Sequence, residues 1–187
     1  MKSVLFATTN ARKIYEANET LSAYDIAVTP IQLTIDEIQH ADPAEITKQK
    51  AITAFEAAGK PVVVSDTSWS IPSLGGFPGG YMKDVSAWLQ PHDWLALMNQ
   101  YEDRTIECHE HLAYYDGTTL QHFVSIYSGQ IAREAFVPRK PTDSIECVTI
   151  LYGDKTMAEQ IEAGEVASAG EELYHWQQFA KWYNDNI

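Results

Sequence analysis

Three consecutive valines, Val62–Val64, follow a helix marked at both ends, and that pairing constrains the fold more than anything else in this 187-residue chain. A continuously apolar, β-branched run suits a strand covered on both faces. The preceding helix is "DPAEITKQKAITAFEAAGK". Asp42 is placed to cap it, Pro43 takes its first position, Glu45 is expected to close a capping-box-like pair, and Gly59 ends it. Upstream, "SVLFATTN" reads as a strand and "ARKIYEANETLSAY" as a helix with Ile14, Ala17 and Leu21 on one face, capped by Asn10 or Thr9. A second strand is expected near Ile26 to Leu33. Strand, helix, strand, helix, strand over the first third makes an α/β sheet.

Downstream, "HDWLALMNQY" reads as a short helix, and two long strands surround the hairpin signal Asp116-Gly117. "SIECVTILYG" reads as a further strand. Two helices close the chain, the last from about Glu171 with Leu173, Trp176 and Ala180 at core spacing. No repeat or linker divides the sequence, so a single domain over 1–187 is expected.

Charge narrows the partners. Thirteen basic side chains stand against 26 acidic ones, a net charge of −13, which argues against nucleic acid as the main partner. A small phosphorylated ligand stays open, because a few local cations and a metal ion can serve it. No apolar run approaches the roughly 18 residues that span a bilayer, so no membrane partner is expected. A single Lys2 before "SVLFA" is too short a start for a signal peptide. Cys108 and Cys147 are too few for a disulfide framework, which makes a reducing cytoplasm the default.

Three stretches could carry chemistry. "VVVSDTSWSIPSLGGFPGGYMK" puts Ser65-Asp66-Thr67-Ser68 at the expected strand end, before an irregular glycine-rich run; an ordinary turn with an Asp cap reads equally well there. "ATTNARK" delivers Thr8, Thr9 and Asn10 to a helix N-terminus with Lys13 one turn in, which suits an anion, although a plain N-cap needs the same residues. "IDEIQ" supplies Asp36, Glu37 and Gln39, plausible Mg²⁺ ligands or a solvated acidic loop, ahead of Lys48 and Lys50. His109 and His111 lie two apart on an expected strand and so face one way, yet exposed strand positions explain them more cheaply than zinc.

Together "TTNARK", "IDEIQ", Lys50, "VVVSDTS" and "LGGFPGGYMK" resemble, in order and spacing, the inosine/xanthosine triphosphate pyrophosphatases; "YEDRT", "SGQIAREAFVPR" and "KTMAEQ" continue the likeness to about Gln160. The resemblance implies a long twisted mixed β-sheet flanked by helices, with two lobes around a central nucleotide cleft. It implies hydrolysis of a nucleoside triphosphate to the monophosphate and pyrophosphate, with Mg²⁺ as cofactor and a homodimer as the assembly. By that resemblance Thr8, Thr9, Asn10 and Lys13 bind the triphosphate and Glu37 binds Mg²⁺. Asp66 is the catalytic acid and a second metal ligand, Thr67 and Ser68 touch phosphate, Lys50 and Lys83 add charge, and Gly75 and Gly76 admit the nucleotide closely.

The pattern also departs from the family. Ser65 stands where a second acid precedes the catalytic Asp. "SIECVTILYGD" replaces the Phe-Gly-Tyr/Trp-Asp-Pro motif, and "GEVASAGE" occupies the place of a Lys and a Ser-His-Arg motif. The phosphate half is kept and the base half is not. A pyrophosphatase with altered or relaxed base preference is therefore expected, with Trp69, Phe77 or Tyr81 left to stack on the base. A nucleotide-binding sensor or scaffold without turnover, or an enzyme of this fold acting on another phosphorylated molecule, is the competing reading. Retention of Asp66, Glu37, Lys13 and Lys50 favours turnover, since a mere binder has no need of a water-activating acid.

Overall fold

The computed structural model describes residues 2–165 and 174–187. Strand β1 (Lys2–Ala7) leads into α1 (Ala11–Ser22), β2 (Ile26–Ile31), α2 (Pro43–Ala58) and β3 (Val62–Ile71). A 3-10 turn (Pro72–Leu74) and β4 (Phe77–Gly79) precede α3 (Met82–Trp88) and α4 (Pro91–Leu97). Then follow β5 (Thr105–Tyr115), β6 (Leu120–Ile131), β7 (Thr149–Ile150), α5 (Met157–Ala163) and α6 (Tyr174–Asn186). The strands form one sheet in the order β2-β1-β3-β5-β6-β7, with β4 on β3. Its pairing is mixed: β1 is parallel to β2 and β3, while β4 and β7 run antiparallel to β3 and β6. This is the α/β architecture that the opening alternation implies.

The chain packs as two compact units: Met1–Thr67, Glu110–Ser125 and Leu173–Ile187 in the first, Ser68–His109 and Ile126–Glu172 in the second. In the first unit, α1 and α6 bury Ala17, Leu21, Trp176, Phe179, Ala180 and Tyr183 against Val4, Phe6, Val63, Leu112 and Tyr114. The other face of the same strands, with Val62, Val64 and Ala113, meets Ala51 and Ala54 of α2. Both faces of the valine run are thus covered, which is why it is continuously apolar. Sheet alternation then sends odd residues of β3 toward α1 and even ones toward α2.

Helix ends follow the sequence closely. Pro43 opens α2, the Asp42 carboxylate accepts from the Ala44 N–H at 2.9 Å, and Gly59 ends it at φ 63°. Glu45 closes no capping box; its carboxylate takes the Lys48 ammonium at 2.7 Å, one turn along the helix. At the hairpin, the Asp116 carboxylate accepts from the N–H groups of Thr118 and Thr119. In the second unit the Arg104 guanidinium of "YEDRT" is buried and donates to the carbonyls of Met98, Ile131 and Ala132, a structural clamp. The expected strand over "SIECVTILYG" shrinks to Thr149–Ile150, because 144–148 is a hydrogen-bonded turn in which Glu146 N–H bonds Asp143 O and Val148 N–H bonds Ile145 O. Leu173 and most of "GEVASAGE" lie outside the described residues.

His175 on α6 is 2% exposed, and its Nδ1 lacks a hydrogen-bond partner among the described residues. Burial first, then the charges of Lys13 and His111, pushes its pKa from 6.5 down to about 3. A folded-state pKa below the unfolded value means that the unfolded chain binds the extra proton. Stability present above about pH 6.5 is therefore lost as pH falls toward 3, at about 1.4 kcal/mol per pH unit. His122 is shifted in the same direction, by burial and then Lys48. Urea unfolding between neutral and mildly acid pH should show this slope reduced by about one proton in His175→Phe. Identical slopes in both proteins would contradict it.

Candidate active site

Within the first unit, the end of β1 passes Thr8, Thr9 and Asn10 to the start of α1. Thr8 Oγ1 accepts from the Asn10 N–H at 3.2 Å, and Asn10 Oδ1 accepts from the N–H groups of Arg12 at 2.9 Å and Lys13 at 3.3 Å. Asn10 is therefore the cap, and its amide oxygen occupies two of the helix's first donors. Thr8 keeps its hydroxyl proton, and Lys13 lies in the first turn of the helix. Thr9 is exposed and makes no capping contact.

Strand β3 presents the next groups, but not where the sequence placed them. Ser65-Asp66-Thr67-Ser68 sits inside a ten-residue strand, not at its end. Trp69 and Ile71 continue the alternation into a buried core, and Trp69–Ile71 pair with β4. The ladder with β1 covers only Val62 and Val63. Asp66 and Thr67 form a half-exposed pair in an otherwise largely buried strand. By alternation Thr67 shares the α1 face with Val63, and Asp66 shares the α2 face with Val64. Asp66 Oδ1 accepts from the Thr67 N–H at 3.0 Å. The Ser65 hydroxyl is buried without a hydrogen-bond partner among the described residues.

Each face adds charge. On the α2 side Lys50 Nζ pairs with Glu37 Oε1 at 2.6 Å, tying the acidic loop to the helix. On the α1 side stands a residue the sequence reading passed over. Glu110 of β5 accepts a hydrogen bond from Thr67 Oγ1 at 2.9 Å and lies within electrostatic reach of Lys13, Glu16 and Arg12. Burial pushes its carboxyl above the usual range, against the opposing pull of Lys13 and of the Thr67 bond. An acid between two histidines in a strand whose other inward residues are apolar was the available signal.

The Ham1 family model matches residues 4–163. The chain belongs to the Ham1 family. Along almost its whole length it is similar to a dITP/XTP pyrophosphatase of Methanopyrus kandleri, 30% identical over 186 residues, 98% of this chain and 97% of that protein. An inosine triphosphate pyrophosphatase of Tuber melanosporum is 29% identical over 164 residues, 88% of each chain. Among solved structures, a HAM1 protein from Coxiella burnetii matches with a TM-score of 0.76 at 18% identity, covering 99% of this chain and 100% of that one. The Staphylococcus aureus Ham1 protein matches with 0.73 at 17% identity over both full chains. At such identities the two structures speak for the Ham1 fold alone.

In this Ham1 chain the other expected site residues belong to the second unit. Ser68 is buried and Lys83 is exposed on the first turn of α3. Gly75 and Gly76 sit at φ 68° and 90°, and a Cβ on Gly75 would meet nothing within 4 Å. The turn's left-handed backbone therefore accounts for these glycines before any ligand does. Of the stacking candidates, Trp69 is 5% exposed inside the core, whereas Phe77 and Tyr81 are 37% and 46% exposed. His109 and His111 do not make a metal pair: His109 Nε2 meets Glu107 Oε2 at 3.0 Å, and His111 Nδ1 meets His122 Nε2 at 3.1 Å.

Among the described residues no three His, Cys, Asp or Glu side chains converge as a metal cage. The carboxylates of Glu37 and Asp66 are hard oxygen donors. Two of them fit Mg²⁺, which takes one or two carboxylates and fills its octahedron with water and phosphate oxygens. They fit a metal that demands a full protein cage poorly.

Lys13 gives a direct check of the anion end. Lys13→Ala removes a charge-assisted contact worth about 1.5–3 kcal/mol, so affinity should fall roughly tenfold or more, by the same factor for every nucleoside triphosphate. Titrations with purine and pyrimidine triphosphates measure this. A loss confined to one base would contradict the assignment.

Proposed function

We propose that this Ham1 protein is a Mg²⁺-dependent nucleoside triphosphate pyrophosphatase, working in the cytoplasm as a homodimer, with relaxed base preference. One observation carries the reading: a half-exposed Asp66-Thr67 pair in a buried strand, in the same unit as Lys13, Lys50 and Glu37. The whole-length similarity to a dITP/XTP pyrophosphatase supports the pyrophosphatase activity.

On this reading Thr8 and Thr67 donate hydroxyl protons to phosphate oxygens, and Lys13 and Lys50 offset the charge that gathers on them. Asp66 Oδ1 is anchored by the Thr67 N–H, which leaves Oδ2 to orient the attacking water and receive its proton. Glu37 and Asp66 would hold the metal ion, which when bound neutralises phosphate charge as a Lewis acid. Ser68, Gly75, Gly76 and Lys83 are assigned to substrate by the family resemblance alone. The chain's own work is positioning and charge neutralisation rather than covalent chemistry.

The second reading, a sensor without turnover, is separated by one assay. The protein is incubated with Mg²⁺ and a panel of standard and deaminated triphosphates, and pyrophosphate and monophosphate are quantified. Equal amounts of the two products are expected. Binding of triphosphate with neither product formed would replace the enzyme with the sensor.

A further inference from the structure

The Thr67–Glu110 contact sets a problem in counting protons. A hydroxyl carries one proton. Thr67 Oγ1 gives that proton to Glu110 Oε2 at 2.9 Å, so only its lone pairs face any incoming phosphate. Lone pairs repel phosphate oxygens. The hydroxyl can donate outward only if Glu110 supplies the proton of their shared hydrogen bond instead. We propose that triphosphate binding places a proton on Glu110, which turns the Thr67 hydroxyl from an inward to an outward donor.

This rests on the assignment of Thr67 to phosphate above. The surroundings favour it. Lys13, Arg12 and Glu16 on α1 act on Glu110 through their charges, and Thr67 on β3 through its hydrogen bond. His175 on α6, within electrostatic reach of Lys13, is held neutral and contributes no charge. Burial already disfavours the ionised acid, and Lys13 is the largest opposing influence. A triphosphate engages that ammonium and brings several negative charges of its own, so both changes push Glu110 toward its neutral form. The sign follows. With a pKa raised again on binding, affinity is full below the free protein's value and falls as pH rises above it. Glu110 is thus a positioning residue that acts through Thr67.

Glu110→Gln mimics the protonated acid, because its amide N–H donates to Thr67 Oγ1 permanently. Glu110→Ala removes the acceptor, which leaves the Thr67 proton free at every pH. The probe is the α,β-methylene analogue of inosine triphosphate with Mg²⁺, titrated calorimetrically in buffers of different ionisation enthalpy between about pH 6 and 9. Proton uptake by the wild type should exceed that of Glu110→Gln by up to about one proton as pH rises. Wild-type affinity should fall up to tenfold per pH unit on that limb, until Glu110→Gln binds more tightly, while Glu110→Ala, with no carboxylate to take the Thr67 proton, shows no such fall. Equal proton counts in the wild type and Glu110→Gln, or a wild-type pH dependence that persists unchanged in Glu110→Gln and Glu110→Ala, would overturn the inference and leave the phosphate site standing. Failure of the wild type to bind the probe at any pH would overturn both.

Discussion

Asp66→Asn should lower turnover by roughly 10²-fold or more, the usual loss when a general base is removed. The substitution is a narrow one. Asp66 Oδ1 accepts the Thr67 N–H at 3.0 Å, and an asparagine oxygen keeps that bond. The side chain is only partly buried, so losing its charge should disturb folding little. What disappears is the carboxylate charge that takes a proton from water and holds a divalent ion. Steady-state kcat beside a thermal melt separates the effects: kcat should collapse while Tm moves little. Near-normal turnover would remove Asp66 from the chemistry and leave the site without a base.

The second large effect concerns the nucleobase. A pocket whose buried polar groups must each be matched can reject a wrong base by roughly 10⁴-fold or more. Trp69 is buried in the core, and the exposed aromatics Phe77 and Tyr81 offer ring faces, which stack on any base. The stretch "SIECVTILYGD" forms a turn and a two-residue strand, with Ser144, Ile145, Cys147, Val148 and Thr149 buried. It spends its residues on packing. The kcat/KM for inosine triphosphate should therefore exceed those for ATP, GTP and a pyrimidine triphosphate by less than about a hundredfold. A larger ratio would mean that other side chains have rebuilt the pocket.

The parts of the fold legible in the sequence were those specified by local chemistry. Asp42, Pro43 and Gly59 bound α2 as their side chains require, Asn10 caps α1, and Val62–Val64 sits between two helical layers. What escaped depends on partners distant in sequence. β3 runs past Asp66 because β4, formed by Phe77–Gly79, pairs with Trp69–Ile71. Glu45 serves Lys48 instead of its own helix end. "SIECVTILYG" is apolar enough for a strand, yet local turn hydrogen bonds claim its first half.

The candidate site divides in the same way. Lys13, Asp66 and Glu37 were singled out as motif positions by the stretches taken together, none of them by its own stretch alone. Glu110 was not, because its place among apolar residues marks it as unusual but does not say why; its meaning comes from Thr67, 43 residues away, and from Lys13 on α1. His111, expected at an exposed strand position, is instead 4% exposed. Its partner is His122 across the hairpin, not its near neighbour His109.

The central claim is that water, oriented by Asp66, attacks the α-phosphorus of a bound triphosphate. Hydrolysis in ¹⁸O-labelled water with Mg²⁺, followed by mass analysis of both products, tests it directly. The account predicts one labelled oxygen in the nucleoside monophosphate and none in the pyrophosphate. Label in the pyrophosphate, or release of orthophosphate as the first product, would contradict it.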